Sequence, residues 1–160
     1  MTRVLFVCTG NICRSPLAEA LFRRALATDK REGVEVLSAG TGAWEGTPAS
    51  EGAYLIGLEH GLDLSSHRAR LLTRELVREC DLIFTMARHH RVRVQELGGA
   101  ARTHVLGEYV GLTGPEAEVR DPFGSDMEVY RATHVQLETL IGQALERFMG
   151  DDGADGRIES

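Results

Sequence analysis

Five residues lie between Cys8 and Arg14 in the stretch Cys8-Thr9-Gly10-Asn11-Ile12-Cys13-Arg14-Ser15, which puts a thiol and a guanidinium at the two ends of one short loop. Val4-Leu5-Phe6-Val7 before it is a β-branched and apolar run that reads as a buried strand. Ser15-Pro16 after it reads as a helix start, with Ser15 as the cap and Pro16 at the first helical position. The loop therefore sits at a helix N-terminus, where unpaired backbone N–H groups and the positive end of the helix dipole attract an anion. The same field, with Arg14, favours the charged thiolate of Cys8, the form that acts as a nucleophile. A planar guanidinium matches two phosphoryl oxygens at once. The spacing thus describes a phosphate pocket made of Thr9, Gly10, Asn11, Ile12, Cys13, Arg14 and Ser15, with Cys8 as the attacking group. Gly10 frees the curled backbone, Asn11 tolerates left-handed geometry, and the Ser15 hydroxyl can donate to the thiolate. Taken alone, the Cys-x5-Arg spacing also suits a buried free thiol at a strand end.

A second piece of chemistry lies at Asp121-Pro122-Phe123, after a loop marked by Gly111, Gly114 and Pro115. Pro122 fixes its own φ and biases Asp121 away from the α region, which holds the carboxyl on a stiff loop. An acid there can donate a proton to a leaving group and later take one from water. Asp-Pro alone is also an ordinary turn starter. Joined to the loop at Cys8, it reads as the general acid of a phosphoryl-transfer site.

The elements that must position these groups alternate between strand and helix. Residues 3–7 form a strand; Pro16 to Ala27 form a helix ended by Gly33; Val34 to Ser38 form a second strand. A glycine-rich loop from Gly40 to Gly46 leads to a helix from Pro48 to His60. A short helix at Leu71 to Glu79, a strand at Leu82 to Met86, a helix at Arg88 to Leu97 and a strand at Thr103 to Leu106 follow. Ser125-Asp126-Met127-Glu128 matches a capping box opening a long helix, with Leu137, Leu140, Ile141, Ala144, Leu145 and Phe148 at helical spacing. Such alternation implies a parallel sheet covered on both faces, with ligands at the strand carboxyl ends, where Cys8 lies. Residues 1–149 read as one domain, and residues 150–160 as a polar, disordered tail.

The chain resembles the low-molecular-weight protein tyrosine phosphatases, with the related arsenate reductases and bacterial protein arginine phosphatases. The words that carry the resemblance are Val7 to Pro16, Ala18-Glu19-Ala20, Ser38-Ala39-Gly40, Ser66-His67-Arg68-Ala69-Arg70 and Asp121-Pro122-Phe123-Gly124. The resemblance implies a three-layer, phosphatase I-like fold with a four-stranded parallel sheet and helices on both faces. It also implies metal-independent hydrolysis of phosphotyrosine in proteins: Cys8 as nucleophile through a phosphocysteine intermediate, Arg14 as phosphate clamp, and Asp121 as acid and then base. Asn11, Ser15, Ser38 and His67 match positions that shape the loop through hydrogen bonds. Ile12, Trp44 and Phe123 are the expected apolar walls of a substrate pocket.

Ile12 matches the tyrosine-directed members, whereas arginine phosphatases carry a Thr there; Thr9, Glu108-Tyr109-Val110 and Phe123-Gly124 look more like the arginine-directed branch. A protein arginine phosphatase is therefore the alternative. An arsenate reductase of this resemblance needs two further cysteines, and only Cys80 lies beyond the loop. Cys13 is a redox residue by the same resemblance, able to bridge reversibly to Cys8. A phosphopeptide-binding module without chemistry is the remaining option.

Composition agrees. At 160 residues the chain suits one domain with a real core, and a net charge of −6 argues against a general nucleic-acid binder. Three cysteines, no signal-like N-terminus and no long apolar run point to a reducing, cytoplasmic setting without membrane attachment. No cofactor is expected, and the Cys and His spacing matches no closed zinc site, so no metal is expected either. The implied partners are phosphorylated proteins as substrates and inorganic phosphate as product and inhibitor. Arg88-His89-His90-Arg91 with Arg93 reads as solvated helix surface, and His60 as a residue closing its helix electrostatically. His104 and His134 fit no pattern.

Overall fold

A computed structural model describes the chain over residues 1–159, and its side chains over residues 1–151. Four strands, β1 (Thr2–Cys8), β2 (Val34–Gly40), β3 (Leu82–Thr85) and β4 (Thr103–Val105), form one sheet in the order β2-β1-β3-β4. Every pairing is parallel: Thr2 to Cys8 run beside Val34 to Gly40, Val4 to Val7 beside Leu82 to Thr85, and Ile83 to Thr85 beside Thr103 to Val105. Six α-helices accompany them: α1 (Arg14–Thr28), α2 (Glu51–Glu59), α3 (Arg74–Glu79), α4 (Arg88–Glu96), the single turn α5 (Leu106–Tyr109) and α6 (Met127–Glu159).

Period-two alternation along β1 divides the core between the two faces of the sheet. Val4 and Phe6 point to one side, where Leu17, Leu21 and Phe22 of α1 and Leu137, Ile141 and Phe148 of α6 bury them. Phe6 packs edge-on against Phe22 at 5.5 Å between ring centroids and stacks on Phe84 at 5.4 Å. Leu5 and Val7 point to the other side, against Leu76 and Val77 of α3 and Val94 of α4. Chain order and strand order diverge at β1: the chain leaves it for β2 on one flank and later returns to β3 on the other. Loops at the carboxyl end of β1 therefore diverge and leave a crevice, the usual ligand position in open α/β sheets. Cys8, the last residue of β1, lies at that crevice.

Several element ends differ from the sequence expectation, each for a local reason. Helix α1 starts at Arg14 with Cys13 as its cap residue and no side-chain cap bond, because the Ser15 hydroxyl faces Cys8 instead. Pro16 is consequently the third helical residue. The same helix stops at Thr28, and the reversal is made by Lys30 at φ 55 before Gly33 is reached. Helix α2 begins at Glu51, where Ser50 Oγ accepts the Ala53 N–H. Leu71 bridges Gly40 as an extended residue, so α3 waits for Thr73, whose hydroxyl accepts the Leu76 N–H. The cap of α6 is Asp126, which accepts the Val129 N–H at 3.2 Å, rather than Ser125. The expected disordered tail at residues 150–160 falls, from residue 152 onward, on side chains outside the described residues, while the bounds of α6 run to Glu159.

The cap assignment is testable by urea denaturation. Asp126→Ala lowers stability by about 1 kcal/mol, the usual loss for an N-cap. Ser125→Ala changes it by less than about 0.5 kcal/mol, as for other surface sites.

Candidate active site

The loop from Thr9 to Cys13 joins β1 to α1 and is held from outside by its carbonyl groups. Thr41 N–H donates to the Cys8 carbonyl and Gly42 N–H to the Thr9 carbonyl, both at 2.9 Å. His67 Nε2 donates to the Asn11 carbonyl at 2.6 Å, and Ser50 N–H to the Ile12 carbonyl at 2.9 Å. In a planar trans peptide the C=O and the following N–H point opposite ways. Carbonyls tied outward on four sides therefore turn the N–H groups of Thr9, Gly10, Ile12 and Cys13 toward the concave side. That side is a cavity of about 170 Å³ lined by Cys8, these loop residues, Arg14, Asp121 and Phe123. A ring of inward amides at the N-terminus of α1 is an anion-binding nest.

Asn11 is the hub behind the loop. It is fully buried in the left-handed region at φ 57, which turns its side chain away from the cavity. Its Oδ1 accepts the Arg70 N–H at 2.9 Å, which fixes the amide orientation, and its Nδ2 donates to Ser15 Oγ at 2.8 Å and Ser38 Oγ at 2.9 Å. Ser15 Oγ accepts there, so its own proton is free for Cys8 Sγ, 2.9 Å away. Asn11 and Ser15, expected among the phosphate-binding residues, thus do not line the cavity: one shapes the loop and the other bonds the sulfur. Ser38 and His67, expected as loop support, bond the Asn11 side-chain amide and the Asn11 carbonyl respectively.

Gly40, paired with Cys8 across the sheet, makes this close approach possible. A Cβ there would lie 2.4 Å from the Thr9 carbonyl oxygen and 2.9 Å from the Asn11 nitrogen.

Arg14 is 4% exposed and lines the cavity. One terminal nitrogen donates to the Val119 carbonyl at 3.0 Å and the other lies 3.6 Å from Asp121 Oδ2. Its Nε is buried with no hydrogen-bond partner among the described residues. A buried guanidinium donor left open costs free energy unless a ligand takes it. Asp121 faces Arg14 from a loop tied at several points: Val119 N–H to the Met86 carbonyl, Gln136 Nε2 to the Glu118 carbonyl, and Phe123 N–H to Asp121 Oδ1. Its carboxyl is half exposed, open to substrate and water.

The family model for low molecular weight phosphotyrosine protein phosphatase matches residues 3–152. The chain belongs to that family. Among its relatives, a protein-arginine-phosphatase of Geobacillus stearothermophilus is 40% identical over 147 residues, covering 91% of this chain and 95% of the relative. The low molecular weight protein-tyrosine-phosphatase Wzb of Escherichia coli K12 is 38% identical over 140 residues, covering 88% and 90%. The fold of a low molecular weight protein tyrosine phosphatase from T. tengcongensis matches with a TM-score of 0.85 at 39% identity, over 92% of this chain and 99% of that one. The YwlE arginine phosphatase from G. stearothermophilus matches at 0.84 and 37% identity, over 94% and 95%. The family is one of cysteine-dependent phosphatases, which accords with Cys8 at the base of the nest.

Two expected pocket walls of this phosphatase, Ile12 and Phe123, line the cavity, and Phe123 is 63% exposed at its mouth. Trp44 does not line it. Gly46 N–H bonds the Ala69 carbonyl and Ala69 N–H the Thr47 carbonyl, which pins the loop by its backbone and leaves the indole 84% exposed.

Cys13 is among the residues lining the cavity, and its Sγ lies 3.0 Å from Ser50 Oγ and 3.4 Å from Tyr130 Oη. Burial raises the pKa of the Cys13 thiol, and burial also pushes the Tyr130 hydroxyl up to about 12. All three cysteines are free. Cys80 is a buried thiol raised by burial to about 11. Tyr130 escaped sequence reasoning, since a single Tyr on an amphipathic helix carries no signal that its hydroxyl meets a thiol.

His90 is the other residue that the sequence misplaced. It is fully buried, and its neighbours Arg88 and Arg91 both pair with Glu108, at 2.9 and 2.7 Å, so this is not a freely solvated surface. His90 Nδ1 accepts the Ala87 N–H at 3.1 Å, so Nε2 carries the proton and donates to Thr9 Oγ1 at 2.9 Å. Burial first, and then the charge of Arg14, lower its pKa to about 3, so the ring is neutral. The unfolded chain, with a His near 6.5, binds more protons between these values, and stability from this source falls as pH drops from about 6.5 toward 3. We expect His90→Asn to show a shallower acid limb than the parent in urea midpoints taken from pH 7 to pH 4. An unchanged slope would remove His90 as a source of acid sensitivity.

Proposed function

We propose that this phosphatase hydrolyses phosphotyrosine in proteins through a phosphocysteine formed on Cys8. The observation that carries the reading is the buried Nε of Arg14, unpartnered among the described residues, in a cavity that Arg14 shares with Cys8, ringed by inward amides and faced by Asp121. In the first displacement the Cys8 sulfur attacks phosphorus, the bond to the aryl oxygen breaks, and Asp121 gives that oxygen its proton. In the second, water attacks phosphorus, Asp121 takes its proton, and the P–S bond breaks to release phosphate and regenerate the thiolate. Arg14 and the loop amides hold the non-bridging oxygens through both steps. The Ser15 hydroxyl steadies the sulfur as attacking and as leaving group. Inorganic phosphate fits the same nest and acts as product and inhibitor.

Ile12 and Phe123 supply apolar walls suited to an aromatic ring. Two relatives are named as arginine phosphatases, which keeps a phosphoarginine-directed enzyme of the same fold as the second reading. Ile12, where the arginine-directed members carry Thr, favours tyrosine. A reducing cytoplasmic location accords with three free cysteines, and among the described residues no helix is long and apolar enough to cross a membrane. Reversible protection of Cys8 by Cys13 completes the proposal: a peroxide oxidises the Cys8 thiolate to a sulfenic acid, the Cys13 thiol, held by Ser50 and Tyr130, condenses with it to a disulfide with loss of water, and a thiol reductant restores both sulfurs.

Cys8→Ser abolishes turnover while inorganic phosphate still binds, as read by calorimetry. Asp121→Ala slows phosphate esters with poor leaving groups by about 10²–10⁴-fold, the range for a lost general acid. Esters with good leaving groups lose less, and equal losses across the series would take Asp121 out of the acid role. Assayed side by side, phosphotyrosine peptides turn over faster than phosphoarginine peptides, and Ile12→Thr narrows the gap. The reverse preference would establish the second reading.

A further inference from the structure

One polar cluster outside the catalytic cavity has no role in this mechanism. His134, on α6, is fully buried, yet neither of its ring nitrogens has a hydrogen-bond partner among the described residues. Buried imidazole nitrogens are normally paired, so the arrangement calls for a missing partner. Two exposed side chains close over this ring: His60, the residue that ends α2, and Glu138, one turn further along α6. Glu138 Oε2 lies 3.4 Å from His134 Nε2, and the His60 ring stacks on His134 with centroids 4.0 Å apart. One donor atom from each of the three residues lies within 4.8 Å of the others.

We propose that His60, His134 and Glu138 bind a divalent transition-metal ion of the zinc class and clip the end of α2 to α6. Two imidazoles and one carboxylate suit Zn²⁺, Co²⁺ or Ni²⁺, whereas Mg²⁺ and Ca²⁺ favour all-oxygen shells. Tetrahedral ligands at about 2.0–2.1 Å from zinc stand roughly 3.3 Å apart, so the present separations close by small rotations of exposed side chains. His134 is the fixed ligand. His60 turns off the stack, and Glu138 gives up its loose contact with Arg24, whose guanidinium nitrogen is 4.0 Å away. Arg24 keeps its bond to the His60 carbonyl, and Arg131 remains paired with Glu59 at 3.0 Å. Water fills the fourth position. The three residues come from two helices far apart in the chain and match no ligand-spacing motif, which is why the sequence pattern showed no metal site.

Co²⁺ titration of the intact protein tests the site, because its visible absorption reports the ligands. The expected result is saturation at one equivalent, with ligand-field bands and no thiolate charge-transfer band, and an unfolding temperature that rises with added Zn²⁺ by mass action. His60→Ala and Glu138→Gln each weaken binding by more than about 10-fold, the loss seen when even an outer partner of a ligand is removed. Both positions are exposed, so the metal-free variants keep the parent unfolding temperature and phosphatase activity. Absence of a cobalt spectrum, a thiolate band pointing to the cysteines instead, or binding unchanged in both variants would overturn the assignment.

Discussion

The carbonyl groups of Cys8, Thr9, Asn11 and Ile12 all accept hydrogen bonds from donors outside the loop, and this outward tethering is what the rest of the site depends on. A peptide group cannot turn its carbonyl outward without turning its N–H the other way. Four external donors thus convert a flexible stretch into a ring of amides around one sulfur. Arg14 and the α1 N-terminus strengthen a field whose direction those donors have already set.

The donors come from separate parts of the chain. Thr41 and Gly42 follow β2, Ser50 caps α2, and His67 lies in the segment that returns toward α3. Asn11 adds the Arg70 backbone and Ser38, and Thr9 adds His90 from α4. No single helix or strand can build the nest, so it forms together with the tertiary structure. Left-handed Asn11 costs about 1–2 kcal/mol relative to ordinary backbone, and its three side-chain partners hold it there. Gly40 belongs to the same arrangement, since a side chain on β2 would push the loop off its tethers.

The two loop sulfurs illustrate how close neighbours acquire different chemistry. Cys8 has a hydroxyl poised to donate to it, at the carboxyl end of the central strand. Cys13, at the start of α1, is turned into the α2–α6 junction, where burial favours its protonated form. Their difference lies in what surrounds each sulfur, which is also why Tyr130 and Ser50 belong to the account of the loop although neither lines the cavity.

Much of the fold was legible in residue pattern. The apolar run at Val4 to Val7, the helical spacing along α6 and the alternation of strand with helix led to a parallel α/β sheet, and only the number of strands needed the family resemblance. Boundaries failed where a side chain suited to a cap was used elsewhere, as at Ser15, or where extended pairing continued, as at Leu71. For the site, Cys8, Arg14 and Asp121 could be chosen from type and spacing, because thiol, guanidinium and carboxyl chemistry is intrinsic to those residues. The burial of His90 among basic neighbours, the solvent-facing indole of Trp44 and the meeting of His60 with His134 could not, since each rests on segments that touch only in the folded chain. The linear order of residues by itself determined which groups are present and that five positions separate sulfur from guanidinium. The tertiary structure alone decided which way each peptide dipole points, because that direction is set by hydrogen-bond donors from distant parts of the chain.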